Sequence, residues 1–152
     1  MDVHSPEQRS FNMSRIRGKD TQPEIMVRRW LWANGFRYRL HRKDLPGKPD
    51  IVLSKYRAAI FVHGCYWHRH GCRMTTTPES RKDFWINKFN DTIRRDKSNV
   101  TALLEKSWRV MVIWECSLRG KDADFDSVAK QIKDFLHSNI LYYSTGRHVI
   151  DL

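Results

Sequence analysis

The segment that decides the fold is Asp50-Ile-Val-Leu-Ser-Lys-Tyr-Arg-Ala-Ala-Ile-Phe-Val-His63. Residues 50–53 have the pattern of a short strand that opens with an acid, and Lys55 with Tyr56 indicates a turn. Residues 58–62 are continuously apolar. This run predicts a central strand that is covered on both faces, because a strand with one wet face would alternate polar and apolar side chains.

Helices and further strands extend outward from this pair. Thr21-Gln-Pro-Glu24 is typical of a capping box with proline in the first turn, and Asn34-Gly35 is typical of a helix end. The apolar pattern predicts further helices at 79–106 and 125–137, and strands at 36–40 and 108–114. This order predicts one α/β domain over residues 21–152, with a mixed sheet flanked by helices.

The charge of the chain points to an anionic partner. Its 152 residues carry a formal net charge of +11, for which nucleic acid is the first expectation and a merely basic surface the alternative. Residues 1–20 are polar and basic apart from Phe11, Met13 and Ile16, so we expect an arm that orders on DNA, or else a solvated tail. Neither a bilayer-spanning run of about 20 apolar residues nor a signal peptide is present, which predicts a cytoplasmic protein.

Cysteine and histidine are concentrated in His63-Gly-Cys-Tyr-Trp-His-Arg-His-Gly-Cys72. Zinc prefers four sulfur or nitrogen ligands in a tetrahedron. The candidate ligands of such a closed, structural site are Cys65, His70, Cys72 and Cys116. The spacing also allows His68 in place of His70, and three reduced cysteines packed as small apolar residues are the alternative without metal.

Asp50 is the candidate ligand of a catalytic Mg²⁺. Many nucleases place an aspartate at the start of one strand and an acid-x-lysine triplet on the next, so that carboxylates hold Mg²⁺ at the scissile phosphate. Here Phe61-Val62-His63 takes the place of the triplet, without its acid and with histidine for lysine. The main-chain oxygen of Val62 and, through water, Glu24 or Asp96 are therefore candidates to complete the site.

His63 and His68 are candidates for proton transfer and for stabilising the phosphate. Each residue of this set also has a plain structural explanation. A strand-start aspartate can serve a turn, Glu24 the capping box, Asp96 a solvated helix face, and His68 an exposed loop. The prediction of hydrolysis therefore rests on their combination.

A set of specific motifs is spread over residues 9–119. They are Arg-Ser-x-Asn-Met-Ser-x-Ile16, Pro-Gly-Lys-Pro-Asp50, Ala-Ile-Phe-Val-His-Gly-Cys-Tyr-Trp-His68, His70, Cys72, Arg-x-x-Phe-Trp85, Arg-Arg-Asp96 and Trp-Arg-Val-x-x-Ile-Trp-Glu-Cys116. In this combination they resemble the very short patch repair (Vsr) mismatch endonucleases. The resemblance implies a restriction-endonuclease-like fold with an added zinc site. It also implies an enzyme that nicks one strand 5′ of the thymine in a T·G mispair left by deamination of 5-methylcytosine.

The resemblance implies a role for each site residue. Asp50 and the main chain of Val62 would hold Mg²⁺, and His68 would be the general base. His63 would assist at the phosphate, while Glu24 and Asp96 would support the metal-bound waters and His68. The implied zinc ligands are Cys65, His70, Cys72 and Cys116.

The same resemblance implies two sets of DNA-contacting side chains. Tyr66, Trp67 and Trp85 would form an aromatic wedge from the major groove, and Met13 with Ile16 would enter from the minor groove. Tyr66 stands where phenylalanine is familiar. Val62 stands where some relatives have a hydroxyl, so only its main-chain oxygen can bind metal.

The implied partner is double-stranded DNA with a T·G mismatch, and mismatch-repair proteins are further candidate partners. A monomer suffices for a single-strand nick. Two other functions remain open at this point: a zinc-stabilised DNA-binding module without catalysis, and a restriction-type nuclease that cuts matched DNA.

Overall fold

A computed structural model describes residues 20–65, 79–121 and 123–145. The helices are α1 (Gln22–Ala33), α2 (Lys82–Glu105), α3 (Glu115–Leu118) and α4 (Phe125–Leu136). The strands are β1 (Arg39–Leu40), β2 (Ile51–Leu53), β3 (Ala58–His63), β4 (Arg109–Trp114) and β5 (Tyr142–Ser144). Among the helices of these ranges, none combines the length and the apolar character that crossing a membrane requires.

The strands form a mixed sheet in the order β1-β2-β3-β4-β5. The β1–β2 and β2–β3 pairs are antiparallel, whereas β3–β4 and β4–β5 are parallel. The register of the central pair runs from Ala58 opposite Arg109 to His63 opposite Trp114. The predicted mixed sheet is therefore confirmed, and the carboxyl ends of β3 and β4 lie side by side.

Helices cover both faces of the sheet. Alternate side chains of the central strands point to opposite faces and pack into two different cores. Ile60 and Ile113 pack in the core that α1 and α4 complete, with Leu31 and Ile132 among its buried side chains. Phe61 and Val112 point the other way, into the core that α2 completes. Every residue of β3 is buried, as the continuous apolar run predicts.

Two edges of the sheet differ from the sequence prediction. The strand predicted at 36–40 shrinks to Arg39–Leu40, because Phe36 stacks on Trp30 and the hydroxyl of Tyr38 donates to the main chain of α1. At the other edge β5 was not predicted. Its three half-buried residues carry too little apolar pattern to distinguish a strand from a loop.

Candidate active site

The first turn of α1 buries an acid. Thr21 caps the helix, and its hydroxyl accepts the Glu24 N–H at 3.4 Å, which is one of the two bonds of the predicted capping box. Glu24 is only 2% exposed, and its Oε2 accepts the N–H of Asp20 at 3.0 Å. A buried carboxylate needs more than one neutral donor to stabilise its charge, so capping alone does not explain this residue.

Arg28 provides the countercharge from one turn further along α1. Its Nη2 lies 2.9 Å from Oε2 of Glu24, 2.6 Å from Oδ1 of Asp20 and 3.0 Å from Nε2 of His41. The hydrogen bond from this guanidinium holds the pKa of the Asp20 carboxyl below its usual range. One nitrogen thus joins the helix, the residue before its cap and the residue after β1.

Asp50 lies immediately before β2, where the hairpin of β1 and β2 ends. The N–H of His41 donates to the main-chain oxygen of Asp50 at 3.2 Å, which extends the β1–β2 pairing by one residue. The N–H of Val62 donates to Oδ2 of Asp50 at 2.8 Å. The two predicted metal-binding residues, Asp50 and Val62, are therefore in direct contact.

The electrostatics of this carboxyl are unusual. Burial, and then the nearby charge of Glu24, raise the pKa of Asp50 from 3.8 to about 7, against the opposing effects of the Val62 N–H and Arg28. Two carboxylates that repel each other in a buried site are stabilised by a cation between them. Oxygen donors of this kind fit Mg²⁺, so the chemistry of the donor set agrees with the predicted metal.

His41 connects the two carboxylates. Its Nε2 lies 3.0 Å from Nη2 of Arg28 and 3.5 Å from a carboxylate oxygen of both Asp20 and Glu24. Its Nδ1, on the other side of the ring, faces Oδ1 of Asp50 at 3.8 Å. The backbone of His41 has φ +49°, a left-handed conformation that is uncommon for residues other than glycine and that clusters at functional sites.

His63 ends β3, one residue after Val62, and is 6% exposed. Its ring lies 5.4 Å from that of Phe61 and 5.3 Å from that of Trp114, measured between centroids. The indole N–H of Trp114 in turn donates to Oγ of Ser144 in β5 at 2.9 Å. The unpredicted edge strand therefore helps to hold the indole against which this candidate catalytic imidazole packs.

The two predicted zinc ligands within the described residues are brought to one edge of the sheet. Cys65 and Cys116 each follow, by two residues, the paired ends of β3 and β4 at His63 and Trp114. Cys65 is buried and Cys116 is half-buried. This register brings Cys116, which follows β4, next to the end of the strand that Cys65 follows.

The remaining described candidates lie on α2, on the opposite face of the sheet from α1. Trp85 is half-buried near the start of α2, stacked on Phe89 and edge-on to Phe84, which is 44% exposed. Asp96 is half-buried midway along α2, and its charge, after burial, helps to raise the pKa of Tyr142 in β5. The other candidates lie outside the described residues; they are Met13, Ile16, Tyr66, Trp67, His68, His70 and Cys72.

Sequence reasoning missed Asp20, Arg28 and His41. The spacing of Asp20, Glu24 and Arg28 by four residues is a visible signal, because side chains one turn apart share a helix face. No local signal marks His41. Its place opposite Asp50 depends on the register of a hairpin whose connection runs from residue 42 to residue 49.

A mixed sheet between helices, with the half-buried carboxyl of Asp50 where β2 and β3 meet, fits the restriction-endonuclease-like class of nucleases. Comparison with known proteins agrees. The family described as DNA mismatch endonuclease Vsr matches residues 1–74. The chain is 40% identical over 121 residues to the DNA mismatch endonuclease Vsr of Escherichia coli, covering 80% of this chain and 78% of that protein.

Two further relatives are called type II nicking enzymes. V.XorIIP of Xanthomonas oryzae is 45% identical over 135 residues, which covers 89% of this chain and 96% of that protein. V.NmeAIP of Neisseria meningitidis is 42% identical over 136 residues, covering 88% and 97%. The chain belongs to the DNA mismatch endonuclease Vsr family. It is an endonuclease, and its substrate is DNA.

Proposed function

We propose that this endonuclease uses Mg²⁺ to nick one strand of duplex DNA on the 5′ side of the thymine in a T·G mispair. The observation that carries the proposal is the pair of half-buried Asp50 and buried Glu24. Burial, and then the charge of Glu24, raise the pKa of Asp50, which lies against Val62, the residue before His63. A DNA-binding module without catalysis has no use for such a pair. Family membership supplies the mismatch as the substrate feature.

Each residue of the site then has a task. Asp50 and the main-chain oxygen of Val62 would hold the metal, and Glu24 with Asp96 would support the metal-bound waters and His68. Bound Mg²⁺ supplies charge stabilisation at the scissile phosphate and a water of lowered pKa. His68 accepts the proton of the attacking water, and His63, fixed by its ring contacts, stabilises charge on the phosphate.

We also propose a structural zinc held by Cys65, His70, Cys72 and Cys116. Two of these residues lie just past neighbouring strand ends, which supports one site for all four. Four protein ligands leave no open position, so this ion has no catalytic part. It fixes the loop that carries Tyr66, Trp67 and His68 to the edge of the sheet.

Mismatch selection follows from stacking energies. A T·G wobble is easier to unstack than a matched pair, and an inserted aromatic ring returns about 1–3 kcal/mol per stacked base. Tyr66, Trp67 and Trp85 form the wedge from one groove, and Met13 with Ile16 enter from the other. The net charge of +11 supplies salt-dependent affinity without sequence choice.

A monomer suffices for one nick, and mismatch-repair proteins are candidate partners.

The test is a nicking assay on duplexes labelled on either strand, with T·G or T·A at one position, in Mg²⁺. We expect one cut, on the thymine strand and 5′ of the mismatched base, in the T·G duplex alone. Binding without cutting would favour the DNA-binding module. Equal cutting of both strands in the T·A duplex would favour a restriction-type nuclease.

A further inference from the structure

The guanidinium of Arg28 is a cation in the place of a metal ion. Asp20, Glu24 and His41 each offer a ligand atom, and these three atoms lie within 4.8 Å of one another, a spacing that can hold a metal. Nη2 of Arg28 contacts all three at 3.0 Å or less. Nε of Arg28 is buried without a hydrogen-bond partner among the described residues, so the polar contacts of the group are concentrated at this point.

Arg28 forms its hydrogen bond with only one of the two carboxylate oxygens of Glu24. Oε2 receives both the guanidinium and the N–H of Asp20, whereas none of the hydrogen bonds between described residues reaches Oε1. Asp50 has the same arrangement, with Oδ2 fixed by Val62 and Oδ1 at 3.8 Å from His41. Each carboxylate is therefore anchored through one oxygen and keeps the other for a ligand.

We propose that Arg28 is a positioning residue of the hydrolytic site: its guanidinium serves as a built-in cation that excludes a second metal ion and fixes Glu24 and His41 beside Asp50. The inference rests on the proposed function, since it deepens the account of the same site. Arg28 acts through Glu24, which it holds, and through its own charge, which lowers the pKa of Asp50.

The first test counts metal ions without measuring activity. Arg28→Ala removes the guanidinium and leaves Asp20, Glu24 and His41 in place. We expect Arg28→Ala to bind one more Mn²⁺ per chain than the wild type, measured by electron paramagnetic resonance or calorimetry. Arg29→Ala, which removes an exposed charge from the neighbouring position of α1, should keep the wild-type count. An unchanged count in Arg28→Ala would overturn the proposal.

The second test separates rate from binding. At saturating Mg²⁺, Arg28→Ala should nick a T·G duplex at least about tenfold more slowly than Arg29→Ala, because Glu24 loses its fixed position. Its affinity for the same duplex in EDTA should match that of Arg29→Ala. A rate within about threefold of Arg29→Ala, or a loss that lies wholly in DNA affinity, would contradict a positioning role.

Stability is the expected complication, since Arg28→Ala leaves Glu24 buried without its counterion. Thermal unfolding identifies this case, and Arg28→Met, which keeps the apolar stem, is then judged by the same two criteria. If neither variant folds, the rates of Arg28→Lys and Arg29→Lys decide by the same tenfold and threefold limits. A wild type that leaves T·G duplexes intact would sink the proposed function, while the Mn²⁺ count would still decide the role of Arg28.

Discussion

At the residue scale, the charge of Asp50 that would bind a metal ion lowers the stability of the folded chain. Burial, and then the charge of Glu24, raise the pKa of its carboxyl from 3.8 to about 7. A carboxyl whose pKa is higher in the folded chain binds more protons when folded, so the free energy of unfolding falls as the pH rises between these two values. Above neutral pH the folded protein therefore keeps a charge that destabilises it, and a Mg²⁺ ion bound to Asp50 as proposed would offset this cost.

Asp50→Asn is expected to remove this pH dependence, because the amide oxygen can still accept the Val62 N–H while the charge is gone. In EDTA at about pH 8 the variant should be more stable than the wild type by up to about 4 kcal/mol, and near about pH 4 the two should agree. Denaturant unfolding at both pH values measures the difference. Asp91→Asn, on the surface of α2, controls for the loss of one charge. A difference independent of pH would contradict the assignment.

A second prediction at the residue scale concerns Trp85. If its ring stacks in the opened mismatch, Trp85→Ala should lower the ratio of nicking rates on T·G and T·A duplexes by roughly five- to 150-fold, the equivalent of about 1–3 kcal/mol. Trp32→Ala, at a tryptophan that is 54% exposed on α1, is the matched control and should leave the ratio unchanged. An unaltered ratio in Trp85→Ala would remove this ring from the wedge.

At the scale of the elements, the loop before Asp50 is held against α2. Gly47 has φ +75°, and a Cβ added there would lie 2.8 Å from Cβ of Asn99, which the helix backbone fixes in place. The loop from β1 to β2 can therefore approach α2 only through glycine. This contact places Asp50 relative to the helix that carries Asp96.

Gly47→Ala should destabilise the chain by about 1–3 kcal/mol through overpacking, in addition to the cost of a left-handed backbone. Gly35→Ala isolates the second cost, because Gly35 has φ +84° but no atom within 4 Å of its added Cβ. Thermal unfolding of both variants gives the steric part by difference. Equal losses in the two variants would mean that the contact with Asn99 imposes no constraint.

The second feature at this scale is the pair of proposed zinc ligands, Cys65 and Cys116, which follow the ends of β3 and β4. Cys116→Ser should lower the bound zinc per chain and the melting temperature together, because a structural zinc contributes folding energy. Cys65→Ser should do the same. Ser117→Ala removes a hydroxyl that bonds Thr145 and should cost stability while the zinc is retained. Zinc content that stays near one ion per chain in Cys116→Ser would refute the ligand set.

At the scale of the whole molecule, the sequence predicts what depends on burial pattern and misses what depends on register. Residues 58–62 are apolar throughout and residues 108–114 are apolar apart from Arg109, and both segments form inner strands of the sheet. Asp50 was predictable because an acid at a strand start is a local feature. The role of Arg28 was not, because lysine and arginine on a helix are usually solvated. His41 reaches Asp50 only through the pairing of β1 with β2, which no local pattern fixes.

The layered fold explains why the site lies where it does. The sheet places Asp50 beside Val62, α1 carries Glu24 on one face, and α2, which carries the proposed site residue Asp96, lies on the other. The parallel register of β3 and β4 brings the carboxyl ends that carry Cys65 and Cys116 to the same edge. The loop proposed to contact the mispair thus follows directly after Val62 and His63, two residues of the proposed hydrolytic site.

The most direct test of a metal held at Asp50 is single-turnover nicking of a T·G duplex by the wild type and by Asp50→Asn, in Mg²⁺ and in EDTA. The wild type should cut 5′ of the mismatched thymine only in Mg²⁺. Asp50→Asn should bind the duplex as tightly in EDTA but cut at least about 10³-fold more slowly in Mg²⁺. Cutting by the wild type in EDTA, or by Asp50→Asn at the wild-type rate, would contradict the account.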